Sequence, residues 1–295
     1  MTAKDTFFQQ KQFLNMGGKL FDISKPMVMG IINVTPDSFY AASRVDTEKQ
    51  ILDRVEQILV DGGKIIDVGA YSTRPGAENI DDATEIERLK ITLEIIRKNF
   101  DKVIISVDTF RASVARWAVE NYDVNIINDV SGGDLDNEMF STICHLKVPY
   151  ILMHMRGNPA TMIKLANYTD VVKEVVFELS EKVQKLRLLG VNDIIIDPGF
   201  GFAKNLEQNY QLLSHLEVLK YFELPILVGI SRKSMIYKIL DQKAEDSLNG
   251  TTVLNTIALS KGAKILRVHD VKEAVETIKL FEQIKGINPK ASPGP

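Results

Sequence analysis

The chain has 295 residues, a hydrophobic fraction of 45%, a charged fraction of 25% and a formal net charge of −3 at pH 7. That composition suits a globular protein with a large apolar core and excludes a disordered or collagen-like chain. With mild acidity and no block of Lys or Arg, neither nucleic acid nor an anionic membrane is an expected partner, so an anionic ligand would have to be held by local charges.

The first 20 residues mix charges, glutamines and glycines, without the basic segment and apolar run of a secretory signal. No stretch approaches 18 apolar residues, and the expected compartment is the cytoplasm. From residue 27 onward, short runs rich in Val and Ile recur at 27–32, 64–69, 103–108, 125–130, 150–155, 193–199, 225–230 and 264–269. They show little alternation, as expected of strands covered on both faces.

Helical periods lie between them. Ile51, Leu52, Val55, Ile58 and Leu59 make one apolar stripe, and Ile86, Leu89, Leu93 and Ile96 another. The longest such segment, around 166–190, carries Val172, Val175, Val176, Leu179, Val183 and Leu186 on one side. Asp46-Thr47 and Asp81-Asp82 mark helix starts, where acidic side chains suit the positive end of the helix dipole.

Strict alternation of eight strands and helices, with no linker or shift of composition, predicts a single α/β domain of the (β/α)8 TIM-barrel class over residues 26–285. Residues 1–25 are read as a cap on the barrel bottom and 286–295 as a flexible tail. Cys144, the one cysteine, cannot form an internal disulfide and reads as a buried structural thiol.

In such a barrel the carboxyl ends of all strands open on one face, and the loops there build the active site. At that face the sequence places Asn33, Ser72-Thr73-Arg74, Asp108, Asn128-Asp129, His154, Asp197, Ser231-Arg232-Lys233-Ser234, and Arg267 with His269. Asp129 and Asp270 read best as capping or loop-satisfying residues, and His145, His154 and His215 receive no role. As a set, so many ionisable groups round one mouth are costly unless they serve each other or a ligand. Arg74, Lys233, Arg267 and His269 suit a phosphate or pyrophosphate. Asp108, Asp197 and Asn128 suit the planar amino-amide edge of a guanine-like or pterin ring. No GxxxxGK[ST] motif occurs, and Gly199-Phe-Gly201-Phe-Ala-Lys lacks the third glycine of a dinucleotide fingerprint. Gly229-Ile-Ser-Arg-Lys-Ser234 is expected to leave a strand and open a helix, bringing its amides near an anion.

Taken in order, Asn33-Val-Thr-Pro-Asp-Ser-Phe39, Ser72-Thr-Arg-Pro-Gly76, Ser106-Val-Asp-Thr109, Asn128-Asp-Val-Ser-Gly132, Asp197-Pro-Gly-Phe-Gly-Phe202, Ser231-Arg-Lys-Ser234 and Arg267-Val-His-Asp270 resemble the motif series of dihydropteroate synthases. The resemblance implies a cytoplasmic, homodimeric transferase of folate biosynthesis and a sulfonamide target. It would join 6-hydroxymethyl-7,8-dihydropterin pyrophosphate to p-aminobenzoate, releasing pyrophosphate and 7,8-dihydropteroate. It further implies a pterin pocket of Asp108, Asn128, Asp197 and Lys233 lined by Met153 and Gly229, with Asn33 as ligand to Mg²⁺ and pyrophosphate. Arg267 and His269 would hold the anion. Thr73, Arg74, Pro75, Phe202 and Ser234, with Phe39, would lie on the p-aminobenzoate side. Asp108, Lys233, Arg267 and His269 would be catalytic. Ala70-Tyr71 and Tyr40-Ala-Ala-Ser43 depart from the motif series. The alternatives are a folate-binding methyltransferase and a catalytically silent pterin-binding barrel.

Overall fold

The structure is a computed structural model and describes residues 10–34, 44–71, 80–159 and 161–286. A hairpin of β1 (Phe13–Met16) and β2 (Lys19–Asp22) comes first. The eight apolar runs then form β3 (Met27–Asn33), β4 (Ile65–Gly69), β5 (Ile104–Asp108), β6 (Ile126–Asp129), β7 (Tyr150–Met153), β8 (Ile194–Asp197), β9 (Leu227–Val228) and β10 (Ile265–Val268). The helices are α1 (Arg44–Val60), α2 (Asp82–Asn99), α3 (Ala112–Tyr122), α4 (Met139–Leu146), α5 (Val171–Leu188), α6 (Leu206–Ser214), α7 (Ser234–Tyr237), α8 (Leu248–Ser260) and α9 (Val271–Gly286).

All eight strands pair in parallel, in the order β8-β7-β6-β5-β4-β3-β10-β9. A parallel bridge between Ile196 and Ile226, with the Ile196 amide donating to the Pro225 carbonyl at 2.9 Å, joins the two outer strands of that order. The sheet therefore curls on itself into a (β/α)8 barrel, as expected from the alternation.

Burial on both faces hid an alternation that the structure makes visible. Outward residues such as Val28, Ile66, Ile105, Ile127, Leu152, Ile196 and Leu266 pack with Ile51, Val55, Leu89, Leu93 and Leu179 of the helices. Inward residues at the lower end are Met27, Met29, Ile65, Ile126, Ile151, Ile195, Leu227 and Ile265, packed with Leu14, Met16 and Ile23 of the hairpin segment. Two residues further along, the same inward positions are Asp67, Asn128, Met153, Asp197, Gly229 and Arg267, with Ser106 and Asp108 following Ile104 on β5. The barrel interior thus changes from apolar to polar within one step of the strand period.

Some local expectations change. Asp81 caps α2, its side chain accepting from the Thr84 amide at 2.9 Å, but α1 already begins at Arg44, so Asp46-Thr47 lie in its first turn. Cys144 is half-buried instead of buried, its thiol donating to the Leu189 carbonyl. The predicted tail at 286–295 falls, beyond Gly286, outside the described residues. Among the described residues no helix is long and apolar enough to cross a membrane.

Candidate active site

The β4–β5 and β5–β6 ladders set the first group side by side: Gly69 pairs with Asp108, and Asp108 with Asn128. Across the barrel, β10 brings in Arg267. Its Nε donates to Asp67 Oδ2 at 2.6 Å and its terminal nitrogen to Asp108 Oδ2 at 2.8 Å. Asn128 Nδ2 donates to the same Asp67 oxygen at 3.1 Å. Burial opposes the Arg267 charge, but Asp67 and Asp108 together hold its pKa above that of an ordinary arginine. Asp108 moves the other way, because burial pushes its carboxyl above the usual carboxylate range and Arg267 offsets this only in part.

Asp67 was missed by the sequence reading, although it is wholly buried and touches two of the predicted site residues. The signal was present: a carboxylate in the middle of the apolar run 64–69 is expensive to bury without partners. Among the described residues, its Oδ1 and the hydroxyl of Ser106, its neighbour in the β4–β5 ladder, are buried without a hydrogen-bond partner. Orphaned buried oxygens beside a polar cleft suit an ordered water or a ligand donor.

β8 and β9 supply the second group. Asp197 pairs with Met153 in the β7–β8 ladder, and its Oδ1 accepts from the Gly199 amide at 2.7 Å. Burial raises its pKa, opposed by the charge of Lys233. Lys233 Nζ donates to the Phe200 carbonyl and sits 4.5 Å from the centre of the Phe202 ring. Burial brings its pKa down to about 8, with Asp197 partly restoring the charged form. The loop between these residues needs its glycines. Gly199 has φ +71°, and a Cβ there would stand 2.0 Å from the His154 carbonyl oxygen. A Cβ on Gly229 would lie 4.0 Å from both Arg267 Cδ and Lys233 Nζ, at ordinary contact distance, so the two cationic side chains flank the same space.

Met153 is buried in an apolar patch with Val130, Met155, Met162 and Ala203, against which Phe202 and Phe110 pack. Asn33 is exposed as the last residue of β3. His269 follows β10, its amide donating to Ser231 Oγ at 3.2 Å and its carbonyl accepting from Arg54 at 2.8 Å. Burial and then the Arg267 charge draw its pKa down to about 4, which favours the neutral imidazole.

Arg267, grouped with His269 in the sequence reading, is held between Asp67 and Asp108. Ser234 does begin α7, but that helix is a single turn of four residues, and Arg232 turns away, at φ +56°, to a bidentate pair with Asp270 at 2.9 and 2.6 Å. Asp270 is thereby accounted for structurally. So is Asp129, which accepts from Ser131, Gly133 and the Tyr150 hydroxyl. Phe39, Ser72, Thr73, Arg74 and Pro75 lie outside the described residues.

The description "Pterin binding enzyme" belongs to the family whose model matches residues 29–269. A dihydropteroate synthase of Synechocystis sp. is 41% identical over 92% of this chain and 94% of its own length. The Yersinia pestis dihydropteroate synthase solved with a sulfonamide drug superposes with a TM-score of 0.86 at 36% identity, covering 93% of this chain and 100% of that one. The Xanthomonas albilineans dihydropteroate synthase solved with 4-aminobenzoic acid gives 0.85 at 32% identity, covering 95% and 100%. With a pterin-binding family model matched over residues 29–269, a curated relative 41% identical over 92% of the chain and a solved relative of the same fold, the chain belongs to the dihydropteroate synthase family of pterin-binding enzymes.

Proposed function

We propose that the upper barrel is where this chain carries out the transferase reaction of its family, joining 6-hydroxymethyl-7,8-dihydropterin pyrophosphate to p-aminobenzoate in folate biosynthesis. The observation that carries the reading is the convergence of Asp67, Asp108, Asn128, Asp197, Lys233 and Arg267 in one polar layer above an apolar barrel floor. Carboxylates and an amide facing inward match the amino-amide edge of a pterin, and the cations beside them match its pyrophosphate.

In the reaction the bond from the exocyclic methylene carbon to the pyrophosphate oxygen breaks, its electron pair leaving with the oxygen. The arylamine nitrogen then bonds to that carbon and loses a proton. Asp197 and Asn128 would hold the ring, while ionised Asp108 would face the positive charge that spreads into it. Arg267, Lys233 and the neutral N–H of His269 would receive the charge of the departing pyrophosphate. The amine is neutral at pH 7 and needs placing more than deprotonation, a task given to Phe202, Ser234 and the Thr73-Arg74-Pro75 segment.

A Mg²⁺ ion fits the mouth because such ions keep several waters and bind mainly through substrate phosphates, needing only one or two protein oxygens. Asn33, exposed at the end of β3, offers one. Bound there, it would neutralise charge on the leaving pyrophosphate. As a cytoplasmic enzyme the chain would pair as a homodimer, for which the exposed apolar residues Ile239 and Leu240 just after α7 and Val253 and Ile257 on α8 are candidate contacts. A relative's sulfonamide complex supports the same class of inhibitor here.

A folate-binding methyltransferase would not need Lys233 and Arg267 beside the acids. Replacing Arg267 or Asp197 by Ala should lower kcat/KM by about 100-fold or more, as for loss of a buried charge partner in the transition state. Near wild-type turnover in both variants would remove the assignment.

A further inference from the structure

His154 and Lys204 received no role from the sequence and none from the reaction, yet both are almost completely buried just outside the polar layer. Lys204 Nζ lies 3.0 Å from each of three acceptors: His154 Nδ1, the Gly199 carbonyl and the Phe202 carbonyl. Three acceptors match the three N–H groups of an ammonium. Burial draws the Lys204 pKa down to about 7 and the His154 pKa to about 4, so the imidazole is neutral. Its Nδ1 lone pair can then accept from Lys204, while its Nε2–H donates to Glu178 on α5 at 2.9 Å. Glu178 is fixed in turn by Arg156, whose guanidinium also bonds Glu174 and lies 3.9 Å from the Tyr168 ring centre.

The other end of this chain of bonds is the loop that serves the candidate pocket. Between the two carbonyls gripped by Lys204 lies Phe200, whose carbonyl accepts from Lys233 Nζ, and the Gly199 amide donates to Asp197. We propose that Lys204, braced against α5 through His154 and Glu178, is a positioning residue that sets the 199–202 loop and thereby the placement of Asp197 and Lys233 for the pterin substrate. The proposal rests on the assignment of Asp197 and Lys233 to that substrate. A lysine needed only for stability would have to be buried somewhere, but not with its donors divided between the two carbonyls that flank a pocket contact.

The test is a double-mutant cycle on the full chain. Affinity for 6-hydroxymethyl-7,8-dihydropterin pyrophosphate with Mg²⁺, without p-aminobenzoate, is measured by titration calorimetry for wild type, Lys204→Met, Lys233→Met and the double variant. Thermal unfolding is recorded for each. Loss of the loop's brace should weaken binding about tenfold in Lys204→Met, and loss of the direct contact about 100-fold in Lys233→Met. Because part of the Lys204 effect runs through Lys233, the double variant should be weakened clearly less than the product of the two single losses. A double variant weakened by the full product, or a Lys204→Met protein that is less stable but binds normally, overturns the proposal and leaves the pocket intact. A Lys233→Met protein that binds normally overturns the pocket reading itself, and the proposal with it. If Lys204→Met does not fold, His154→Ala takes its place in the cycle, with about threefold weakening and the same non-additivity expected.

Discussion

Inside the barrel, Asp108 has Arg267 at 2.8 Å on one side and the acids Asp67, Glu85 and Asp129 within electrostatic reach. Burial is the largest influence and raises its pKa above the ordinary 3.8. Lys204 and Lys233 are drawn the other way, to about 7 and about 8. In the proposed reaction Asp108 acts ionised and Lys233, with its positioning residue Lys204, acts protonated, so the signs fix the pH profile. The kcat/KM should fall on the acid side through a pKa clearly above 3.8, as Asp108 gains its proton. On the alkaline side it should fall above pH 7 to 8, as the lysines lose theirs. Asp108→Asn should lack the acid limb. An acid limb near pH 4 in the wild type would mean that Asp108 is not the titrating group. At this scale the motifs named Asp108, Asn128, Asp197, Lys233 and Arg267, but they could not reveal who holds whom. Asp67 escaped because it sits inside an apolar run and ends no strand, and the neutral state of His269 depends on burial and on Arg267, which spacing does not express.

Among the elements, the hairpin β1–β2 and the strands divide the barrel into a stabilising lower half and a chemical upper half. Leu14 is fully buried with Met27, Met29, Ile65 and Ile265 at the lower end, below the layer that holds Asp67 and Arg267. Leu14→Ala should therefore cost about 2–5 kcal/mol through lost burial and a residual cavity, seen as a lower thermal midpoint, while KM for both substrates stays unchanged. A raised KM without loss of stability would contradict that division. Strands of this kind were legible because their runs are apolar on both faces, and the stripes of α2 and α5 because their spacing is strict. Element ends were less legible. The short turn α7 comes just after Arg232, which leaves for Asp270, a contact 38 residues away that no local pattern announces.

For the whole molecule, closure of the barrel is what gives the scattered motifs a common address. Seven separate segments of sequence carry polar residues, and only a ring of strands closed between β8 and β9 brings their carboxyl ends to one mouth. Of the ring read from the sequence, described residues engage one another: Arg267 is bound by two acids and Lys233 by a carbonyl. On the proposed assignment, substrate would exchange these bonds for bonds to the pterin and its pyrophosphate, so that the acids and cations act on a ligand instead of on each other. The most direct measurement is pyrophosphate release from 6-hydroxymethyl-7,8-dihydropterin pyrophosphate in the presence of Mg²⁺, with and without p-aminobenzoate, alongside detection of 7,8-dihydropteroate. Release that depends on p-aminobenzoate and matches dihydropteroate formed is the predicted result, whereas no release, or release indifferent to p-aminobenzoate, would contradict the account.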